Sequence, residues 1–430
     1  MLLWYYGGGT RPRVPAFEGA NPACSLDDLR LSGFEARQLA AAGLGSAPRF
    51  PARNRMTKTD KLLRELIALP SVNPAFLPAK HPRAGEQRVA EFLAATAAQA
   101  GLDVEFQAVS PGRSNLLARL SPRGKVQQRL LLAPHLDTVN ATDEQFIPRT
   151  RNGRLYGRGA CDTKGSVAAM LTALCELAQG RQRPAETEIV FVGLVDEEQG
   201  QAGSRALVSR GFTADMAIVG EPTRSQVVTA HKGTLWLCLE THGKSAHGSW
   251  PELGRNAVHE MARVVDLLET DYAAQLKRRR HPLLGSATVS VGAICGGSQA
   301  NIVPDRCSIL IDRRTLPGET AAGVRREILQ VLRRKRLTVA FAKDPLPPCL
   351  PLETDPRLPL VTRFLKTVGQ RKPVGVRYFC DASVLGHGGI PSVVFGPGDI
   401  AQAHTADEWI SLAELERGKT LLLRFLQSFS

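Results

Sequence analysis

Four short apolar runs, each followed closely by an acidic or imidazole side chain, constrain the fold of this chain most. His135 follows residues 130–133, Glu197 follows 189–195, Glu221 follows 216–219, and His404 lies in the glycine-rich loop after 393–395. Uninterrupted runs of this length are typical of strands that are buried on both faces of a sheet. Because an open α/β sheet binds its ligands at the carboxyl ends of its strands, we expect these residues to meet at one edge.

The ionisable residues at these positions are the donor types of a two-zinc hydrolytic site. In chain order they are His135, Asp137, Asp162, Glu197, Glu198, Glu221 and His404. Imidazole and carboxylate groups both bind zinc, and one carboxylate can bridge two ions about 3.5–4 Å apart. Any single member is more simply a hydrogen-bonding group at a strand end, so the prediction depends on the order and context of the whole set.

The motifs around these residues resemble those of a known family. They are H-x-D-x-V, G-R-G-x-x-D-x-K-G, D-E-E-x-G, G-E-P-T, S-A-H-G, N-x-V-P-D and A-H-T-x-x-E, in that order. From about Thr57 to the C-terminus the chain is similar to the zinc amidohydrolases and metallopeptidases that include acetylornithine deacetylase, succinyl-diaminopimelate desuccinylase, aminoacylase and carboxypeptidase G. The resemblance implies two divalent metal ions, with Zn2+ expected and Co2+ or Mn2+ as alternatives.

The same resemblance implies a role for each metal ligand. His135 and Glu221 would hold one ion, Glu198 and His404 would hold the other, and Asp162 would bridge the two. The glycines of GRGACDTKG are expected to let the backbone turn tightly, so that Asp162 reaches both ions.

Two further roles concern catalysis. The resemblance implies that Glu197 is the base, taking a proton from water and returning it to the leaving amine, while zinc lowers the pKa of a bound water towards ~7. On an extended strand end the adjacent side chains of Glu197 and Glu198 point to opposite sides, so one can ligate while the other faces water. Asp137 lies two residues after His135 and can accept the second imidazole N–H. The alternative is that Asp137 is only a turn residue before Thr138.

Two other kinds of chemistry do not fit the sequence. A serine hydrolase would need a G-x-S-x-G elbow, which is absent, and Ser245 and His247 are too close along the chain to replace it. A phosphate-binding loop requires Gly-Lys-Ser/Thr, whereas here Lys164 precedes Gly165.

The pattern of elements predicts an α/β fold with a mostly parallel sheet flanked by helices. We expect an α+β domain to be inserted into the chain of this catalytic domain. A chain of 430 residues is longer than a domain with a single hydrophobic core, so it should form two domains. We expect the catalytic domain at 56–230 and 343–430. The β-α-β-β-α-β pattern of 231–342 predicts a ferredoxin-like antiparallel unit, and the resemblance implies that this unit serves for dimerisation and as a lid. Residues 1–55 are expected to be a poorly ordered extension or a start-site artefact.

Three residues of the predicted insert are candidate substrate-binding groups. The resemblance implies that His247 of S-A-H-G reaches the partner subunit's site and stabilises the oxyanion, a structural helix cap being the alternative. It also implies that Asn301 and Arg314 bind the carbonyl and the carboxylate of the substrate. Arg313 is an alternative to Arg314 in this role, and the other alternative is that Arg314 is an ordinary surface arginine. Asp381 has no assigned role.

The composition indicates a cytoplasmic enzyme. The formal charge of +14 comes from basic residues that are mostly dispersed, without aromatic platforms, so an anionic substrate is a better interpretation than nucleic acid. The eight cysteines show no C-x-x-C spacing and are expected to be reduced thiols. Neither a secretory signal nor a membrane span is expected. The resemblance implies a homodimer.

The predicted function is hydrolysis of an amide bond, in an N-acyl amino acid or a short peptide, near a free carboxylate. The deacetylase and desuccinylase branch is the nearest match, and a dipeptidase or glutamate carboxypeptidase is the alternative on the same scaffold. An inactive relative that binds a small molecule or a partner protein is the alternative of another class. All five ligand positions and Glu197 are present, which disfavours this last possibility.

Overall fold

The structure, a computed structural model, describes residues 56–180 and 183–430, so the predictions for residues 1–55 lie outside the described residues. Within these ranges the α-helices are α1 (Lys58–Ile67), α2 (Gln87–Gln99), α3 (Lys164–Gln179), α4 (Ala202–Ser209), α5 (Ala257–Leu267), α6 (Ala273–Lys277), α7 (Ala321–Arg334), α8 (Pro359–Thr367), α9 (Ala382–His387) and α10 (Leu412–Gln427). The strands are β1 (Asp103–Ser110), β2 (Arg113–Leu120), β3 (Gln128–Pro134), β4 (Arg149–Arg151), β5 (Arg154–Tyr156), β6 (Thr187–Gly193), β7 (Met216–Gly220), β8 (Val228–His231), β9 (Gly233–His242), β10 (Arg280–His281), β11 (Gly285–Ser286), β12 (Thr288–Gly296), β13 (Arg306–Thr315), β14 (Ala340–Phe341), β15 (Leu352–Glu353), β16 (Val374–Val376), β17 (Ser392–Val394) and β18 (Trp409–Ser411).

The larger sheet has the order β1-β2-β6-β3-β7-β17-β8-β15, with β16 paired to β8. Its centre is parallel, because β3 runs parallel to β6 and β7, and β17 runs parallel to β7. Strands β1 and β2 continue the sheet in antiparallel pairs on one side. The predicted mostly parallel sheet is therefore confirmed, and β3, β6, β7 and β17 end at the same edge.

Helices cover both faces of this sheet, which explains the unbroken apolar runs. Leu130 and Leu132 of β3 pack into a core shared with α1, α3 and α10. Leu131 and Ala133, on the opposite face, pack with apolar side chains of α4 and α9. Since burying one leucine side chain stabilises a fold by roughly 1.5–3 kcal/mol, both faces of β3 favour this central position.

A second, four-stranded sheet has the order β12-β13-β9-β14 and is antiparallel throughout. Alternate side chains of β9 are buried, and they form a separate core with α5 and α7. The element order is the predicted β-α-β-β-α-β. The division into a catalytic domain and a dimerisation domain at 231–342 remains a prediction.

A small sheet of order β18-β5-β4 was not predicted, and it holds the segment after His404 in place. Strand β18 pairs with β5 in antiparallel register, Trp409 opposite Tyr156. This pairing brings the loop that carries His404 close to the loop that carries Asp162. In the part of the chain that the structure describes, no helix has both the length and the apolar character needed to span a bilayer.

Candidate metal centre

The carboxyl edge of the parallel strands brings five of the predicted residues together. His135 Nε2 lies 3.1 Å from Asp162 Oδ1 and 3.8 Å from Glu221 Oε1. His404 Nε2 lies 3.1 Å from Glu198 Oε2 and 3.4 Å from Asp162 Oδ2. Asp162 thus directs one carboxylate oxygen towards each imidazole, as a bridging ligand would.

The donor set fits a pair of divalent cations. Ligand atoms of His135, Glu197 and Glu221 lie within 4.8 Å of one another, and so do those of His135, Asp162 and Glu198. Ligand atoms around a tetrahedral ion with bonds of about 2.0–2.1 Å are separated by about 3.3 Å, close to the spacings seen here. In the described part of the chain, none of these four carboxylates forms an ion pair with lysine or arginine. Because buried carboxylates require a compensating charge, the cluster is suited to metal binding.

The electrostatics of the acidic residues lead to the same conclusion. Burial raises the pKa of Glu197 well above its ordinary value, and the charges of Glu221 and Glu198 raise it further, while His135 opposes them. Burial also raises the pKa of Glu221, with a further contribution from Asp162. A bound divalent cation would favour the ionised forms of these groups.

Asp137 contacts both His135 and the loop that carries Glu197 and Glu198. The Nδ1–H of His135 donates to the Asp137 backbone carbonyl at 3.0 Å, and the Asp137 carboxylate lies at 3.4 Å. This carboxylate accepts the backbone N–H groups of Glu197 and Glu198, each at 3.1 Å, and the Asn73 side-chain amide at 2.8 Å. The nearer contact to the imidazole is therefore the backbone carbonyl rather than the predicted carboxylate, and it leaves Nε2 directed at the other ligands.

Glu408 is a buried residue of the site to which sequence reasoning gave no role. Its carboxylate accepts the backbone N–H groups of Gly159, Cys161 and Asp162 at 3.0, 2.8 and 2.9 Å. It also accepts a hydrogen bond from Arg158 Nη1 at 2.8 Å. Glu408 is the last residue of A-H-T-x-x-E, so the spacing to His404 was the available signal. Through these hydrogen bonds Glu408 connects the loop of His404 to the loop of Asp162.

A second group that sequence reasoning missed comes from the N-terminal part of the described chain. Arg113 Nη1 lies 2.8 Å from Asp196 Oδ1, and Arg113 Nε donates to Glu86 at 3.0 Å. Asn73 Nδ2 contacts both Asp137 at 2.8 Å and Asp196 at 3.0 Å. These side chains support the turn that presents Glu197 and Glu198.

His247 and Asn301 lie together in two paired segments outside the strands of the second sheet. His247 forms a backbone bridge with Ile302, and the N–H of Gly248 donates to the Asn301 carbonyl at 2.7 Å. Both side chains are exposed. Among the described residues of this single chain, neither is in a hydrogen bond or ion pair with the metal-binding candidates.

Arg313 and Arg314, which the sequence left as rivals, have different surroundings. Arg313 is fully buried and bonds to Glu319 at 2.7 Å inside the second core. Arg314 is partly exposed, bonds to Asp312 at 2.9 Å, and its guanidinium carbon lies 5.8 Å from the Phe379 ring centre. Of the two side chains, only that of Arg314 is accessible to a ligand.

Asp381, which had no predicted role, is buried next to α4. Its Oδ1 accepts the hydroxyl of Ser204 at 2.6 Å, and burial raises its pKa to about 7. Its other oxygen and both ends of the Gln201 amide have no hydrogen-bond partner within the described ranges. Its charge contributes to the raised pKa of Glu197, so it lies at the margin of the cluster.

Comparison with known proteins agrees with this geometry. Residues 131–428 match the description "Peptidase family M20/M25/M40". The chain belongs to this family. It is 31% identical over 385 residues to the acetylornithine deacetylase of Proteus mirabilis, a match that covers 86% of this chain and 96% of that protein. These relationships confirm the predicted resemblance and make the chain an amidohydrolase or metallopeptidase.

Solved structures with low sequence identity share the fold. A tripeptidase from Staphylococcus aureus superposes with a TM-score of 0.69 at 20% identity, covering 86% of this chain and 98% of that one. A Bacillus subtilis protein described as a dinuclear metal-binding peptidase of the M20 family gives 0.64 at 13% identity, covering 86% and 97%. The predicted α/β architecture is confirmed by these matches.

Proposed function

We propose that this enzyme hydrolyses the amide bond of an N-acyl amino acid, with the deacetylase and desuccinylase branch as its nearest counterpart. The observation that carries the proposal is the orientation of Asp162 between His135 and His404, with Glu197 in the same cluster. The similarity to acetylornithine deacetylases along most of the chain supports this choice of reaction.

In this proposal two divalent ions, zinc by preference and cobalt or manganese as alternatives, are held by five side chains. His135 and Glu221 would hold one ion, Glu198 and His404 would hold the other, and Asp162 would contribute to both. Such ions polarise a carbonyl group and make water acidic at neutral pH. The short distances within each group and the absence of lysine or arginine partners in the described chain support this assignment.

The protein's own groups then move the protons. Glu197 accepts a proton from the attacking water and returns it to the nitrogen of the leaving amine. Its buried position raises its pKa, which makes the carboxylate a stronger base. Asp137 fixes the backbone of Glu197 and Glu198, and His247 and Asn301 donate hydrogen bonds to the substrate oxygen from a second subunit. Arg314 binds the free carboxylate of the substrate.

The protein is proposed to act as a homodimer through a dimerisation and lid domain at 231–342, with residues 56–230 and 343–430 forming the catalytic domain. Apolar side chains of the 231–342 segment are exposed in the single chain, at 60% for Trp250, 62% for Leu253 and 57% for Ile294. A second copy would cover them, and exposed groups of this size mark interaction surfaces. The seven cysteines of the described chain are free, which supports a cytoplasmic location.

A dipeptidase or carboxypeptidase activity on the same scaffold is the second candidate. It is supported by structural neighbours that are named as peptidases, such as the tripeptidase from Staphylococcus aureus. Both reactions use the same base and metals, and they differ in the group on the acyl side of the bond. The inactive binding relative remains the third possibility.

A substrate panel separates these three candidates. The zinc-loaded enzyme is assayed with N-acetyl amino acids, N-acetylornithine, N-succinyl-diaminopimelate and dipeptides, alongside chelated enzyme and Glu197→Ala. We expect turnover of one class, lost on chelation and reduced about 10²–10⁴-fold in the variant. Turnover of dipeptides alone would favour the second candidate. Failure of every substrate with two bound metals would favour the inactive relative.

A further inference from the structure

A cavity of about 370 Å³ lies where the small sheet, the start of α10 and the segment before His404 meet, and we call it the α10 cavity. Its lining includes Arg154 of β5, Trp409 of β18 and Glu414 in the first turn of α10. Small-molecule sites usually have volumes of about 300–1,000 Å³. No metal-binding candidate of the described chain lines this cavity, so it is separate from the centre described above.

The α10 cavity contains one unpaired charge of each sign. The guanidinium carbon of Arg154 lies over the Trp409 ring, 3.8 Å from its centre. Within residues 56–180 and 183–430, the side chains of Arg154 and Glu414 have no ion pair and no hydrogen bond. A guanidinium held against an aromatic face keeps its N–H groups free for a carboxylate. The cavity can therefore bind an anionic and a cationic group together.

The other two charges of the lining are paired with each other. Arg224 Nε donates to Asp399 Oδ2 at 2.8 Å, and the backbone N–H of Ala401 donates to Asp399 Oδ1 at 3.1 Å. The lining as a whole carries two guanidinium groups and two carboxylates. A simple anion would leave Glu414 without a partner, and a simple cation would leave Arg154 without one. A zwitterion provides a partner for both.

The segment before His404 connects the α10 cavity to the candidate metal centre. The Asp399 carbonyl accepts the backbone N–H of Gln402 at 2.9 Å and the thiol of Cys161 at 3.2 Å. Cys161 directly precedes Asp162, and Gln402 lies two residues before His404. Asp399 and Gln402 both line the cavity. A ligand there would act on backbone that continues into two of the metal-binding candidates.

We propose that the α10 cavity binds a free α-amino acid as an effector of the metal centre, with its carboxylate on Arg154 and its ammonium group on Glu414. Asn152 and Gln402 line the same cavity, and their side-chain amides have no hydrogen-bond partner in the described ranges. These amides favour an amino acid with a polar side chain. The inference goes beyond the proposed function, because it assigns a second site and does not depend on which amide is hydrolysed.

Calorimetry of the zinc-loaded, full-length protein with single L-amino acids, among them glutamine, serine, threonine and leucine, tests this site. We expect a Kd of about 1 mM or lower for at least one polar amino acid. The carboxamide of that amino acid lacks the carboxylate and its α-deamino analogue lacks the ammonium group, so each should bind about tenfold more weakly. Failure of every amino acid to bind, or equal binding of a singly charged analogue, would overturn the proposal.

Substitutions in the cavity show where the amino acid binds. Arg154→Met and Glu414→Gln should each weaken binding about tenfold. The matched control is Arg151→Met, because Arg151 is exposed, is the cross-strand partner of Arg154 and does not line the cavity. Circular dichroism verifies that each variant is folded, and either cavity variant alone is a sufficient test. Unchanged binding in a folded cavity variant would contradict the assignment.

Arg314→Met separates the α10 cavity from the substrate site, where an amino acid could bind as a product. Binding that is lost in Arg314→Met and kept in Arg154→Met would place the amino acid in the substrate site and overturn the proposal. Binding that depends on Arg154 in a protein without detectable hydrolysis would support the cavity while the proposed reaction fails.

Steady-state kinetics test the effector role. A ligand that stabilises the segment before His404 should keep this imidazole near Glu198, 3.1 Å away, and so increase kcat by about twofold or more. The increase should occur in the wild type and in Arg151→Met but not in Arg154→Met. A product that competes for the substrate site would raise KM alone. An unchanged or lower kcat in the wild type would overturn the effector role.

Discussion

Asp162 and Glu408 determine how the two imidazoles of the candidate centre are placed. One oxygen of Asp162 lies near each histidine, and the backbone of Asp162 is held by Glu408. Glu408 accepts three backbone N–H groups and Arg158, so all of its hydrogen-bonding capacity acts on one loop. We infer that it positions ligands without contacting the metal ions.

Replacement of Glu408 tests this positioning. In Glu408→Gln an NH2 group would face backbone N–H donors, and the loop of Asp162 should move. We expect metal affinity, measured by competition with a chromogenic chelator, to fall about 10–100-fold, as for other groups that orient ligands. The absorption spectrum of the cobalt-loaded protein should change as well. Glu105→Gln, which removes an exposed carboxylate on β1, is the control, and equal metal affinity in both variants would refute the role.

His231 gives a prediction for stability against pH. It is fully buried, its Nδ1–H donates to the Lys232 carbonyl, and its Nε2 has no partner in the described chain. Burial lowers its pKa from 6.5 to about 4. The unfolded chain therefore binds a proton near pH 6.5 that the folded chain does not bind, so stability is complete above that pH and falls as the pH decreases towards 4.

The size of this effect follows from the two pKa values. Between pH 7.5 and 5 the metal-free protein should lose about 2 kcal/mol of unfolding free energy through His231 alone. Chemical denaturation of the wild type and of His231→Gln at both pH values measures it. The variant should lose less than the wild type by that amount, and identical losses would show that His231 is not the titrating group.

The sequence predicted the site residues that follow buried strands. It did not predict the residues that hold these site residues in position through hydrogen bonds. His135, Glu197 and Glu221 could be predicted because each comes shortly after an apolar run that is typical of a strand. Glu408 had only its spacing to His404 as a signal. Asn73 had none, because its partners are far along the chain; Asn73 and Asp196 are 123 positions apart. Such contacts leave no local pattern in the sequence.

At the scale of elements, the turn after β6 depends on the strands and helices that precede β3. Arg113 of β2 lies between Asp196 of this turn and Glu86 next to α2, and Glu86 is fully buried. The backbone of Asp196 also donates to Glu86 at 3.2 Å. This buried ionic group therefore connects the N-terminal elements to the residues that present Glu197.

Removal of Arg113 should be costly because it leaves two buried carboxylates without a cation. We expect Arg113→Met to lower the free energy of unfolding by about 3–5 kcal/mol, measured by urea denaturation. Arg119→Met, on the same strand, breaks the exposed pair with Glu105 and should cost about 1 kcal/mol or less. Similar losses in the two variants would contradict a structural role for the buried group.

The long elements could be predicted, and the short ones could not. The amphipathic patterns of α5 and α7 and the alternation in β9 extend over ten residues or more, which is enough to indicate two helices and a strand. The three-residue strands β4, β5 and β18 are too short for a hydrophobic period, so the small sheet was missed. The helical segment after Leu267 also continues as a short π-helix, Leu268–Tyr272, which the sequence did not indicate.

At the scale of the whole molecule, the two sheets have separate cores, and His247 lies in the segment between β9 and α5, which both contribute to the second core. The order of motifs predicted this architecture, because β-α-β-β-α-β lies between two halves of an α/β pattern. The oligomeric state could not be derived in the same way, since an exposed apolar surface does not specify its partner.

Mixing two inactive variants tests the proposed dimer. Glu197→Ala and His247→Ala homodimers should each be nearly inactive if His247 acts in the site of the other subunit. After exchange of subunits, half of the dimers are mixed and one of their two sites is complete, so about a quarter of the wild-type activity should return. No recovery, with exchange verified by mass spectrometry, would place His247 outside the neighbouring site.

The central claim is that two metal ions share Asp162 between His135 and His404. Anomalous diffraction from crystals of the zinc-loaded protein, collected at the zinc edge, tests it most directly. We expect two peaks about 3.5–4 Å apart, each about 2.0–2.2 Å from one oxygen of Asp162, with the pairs of His135 and Glu221 and of Glu198 and His404 completing the sites. A single peak, or peaks away from Asp162, would contradict the claim.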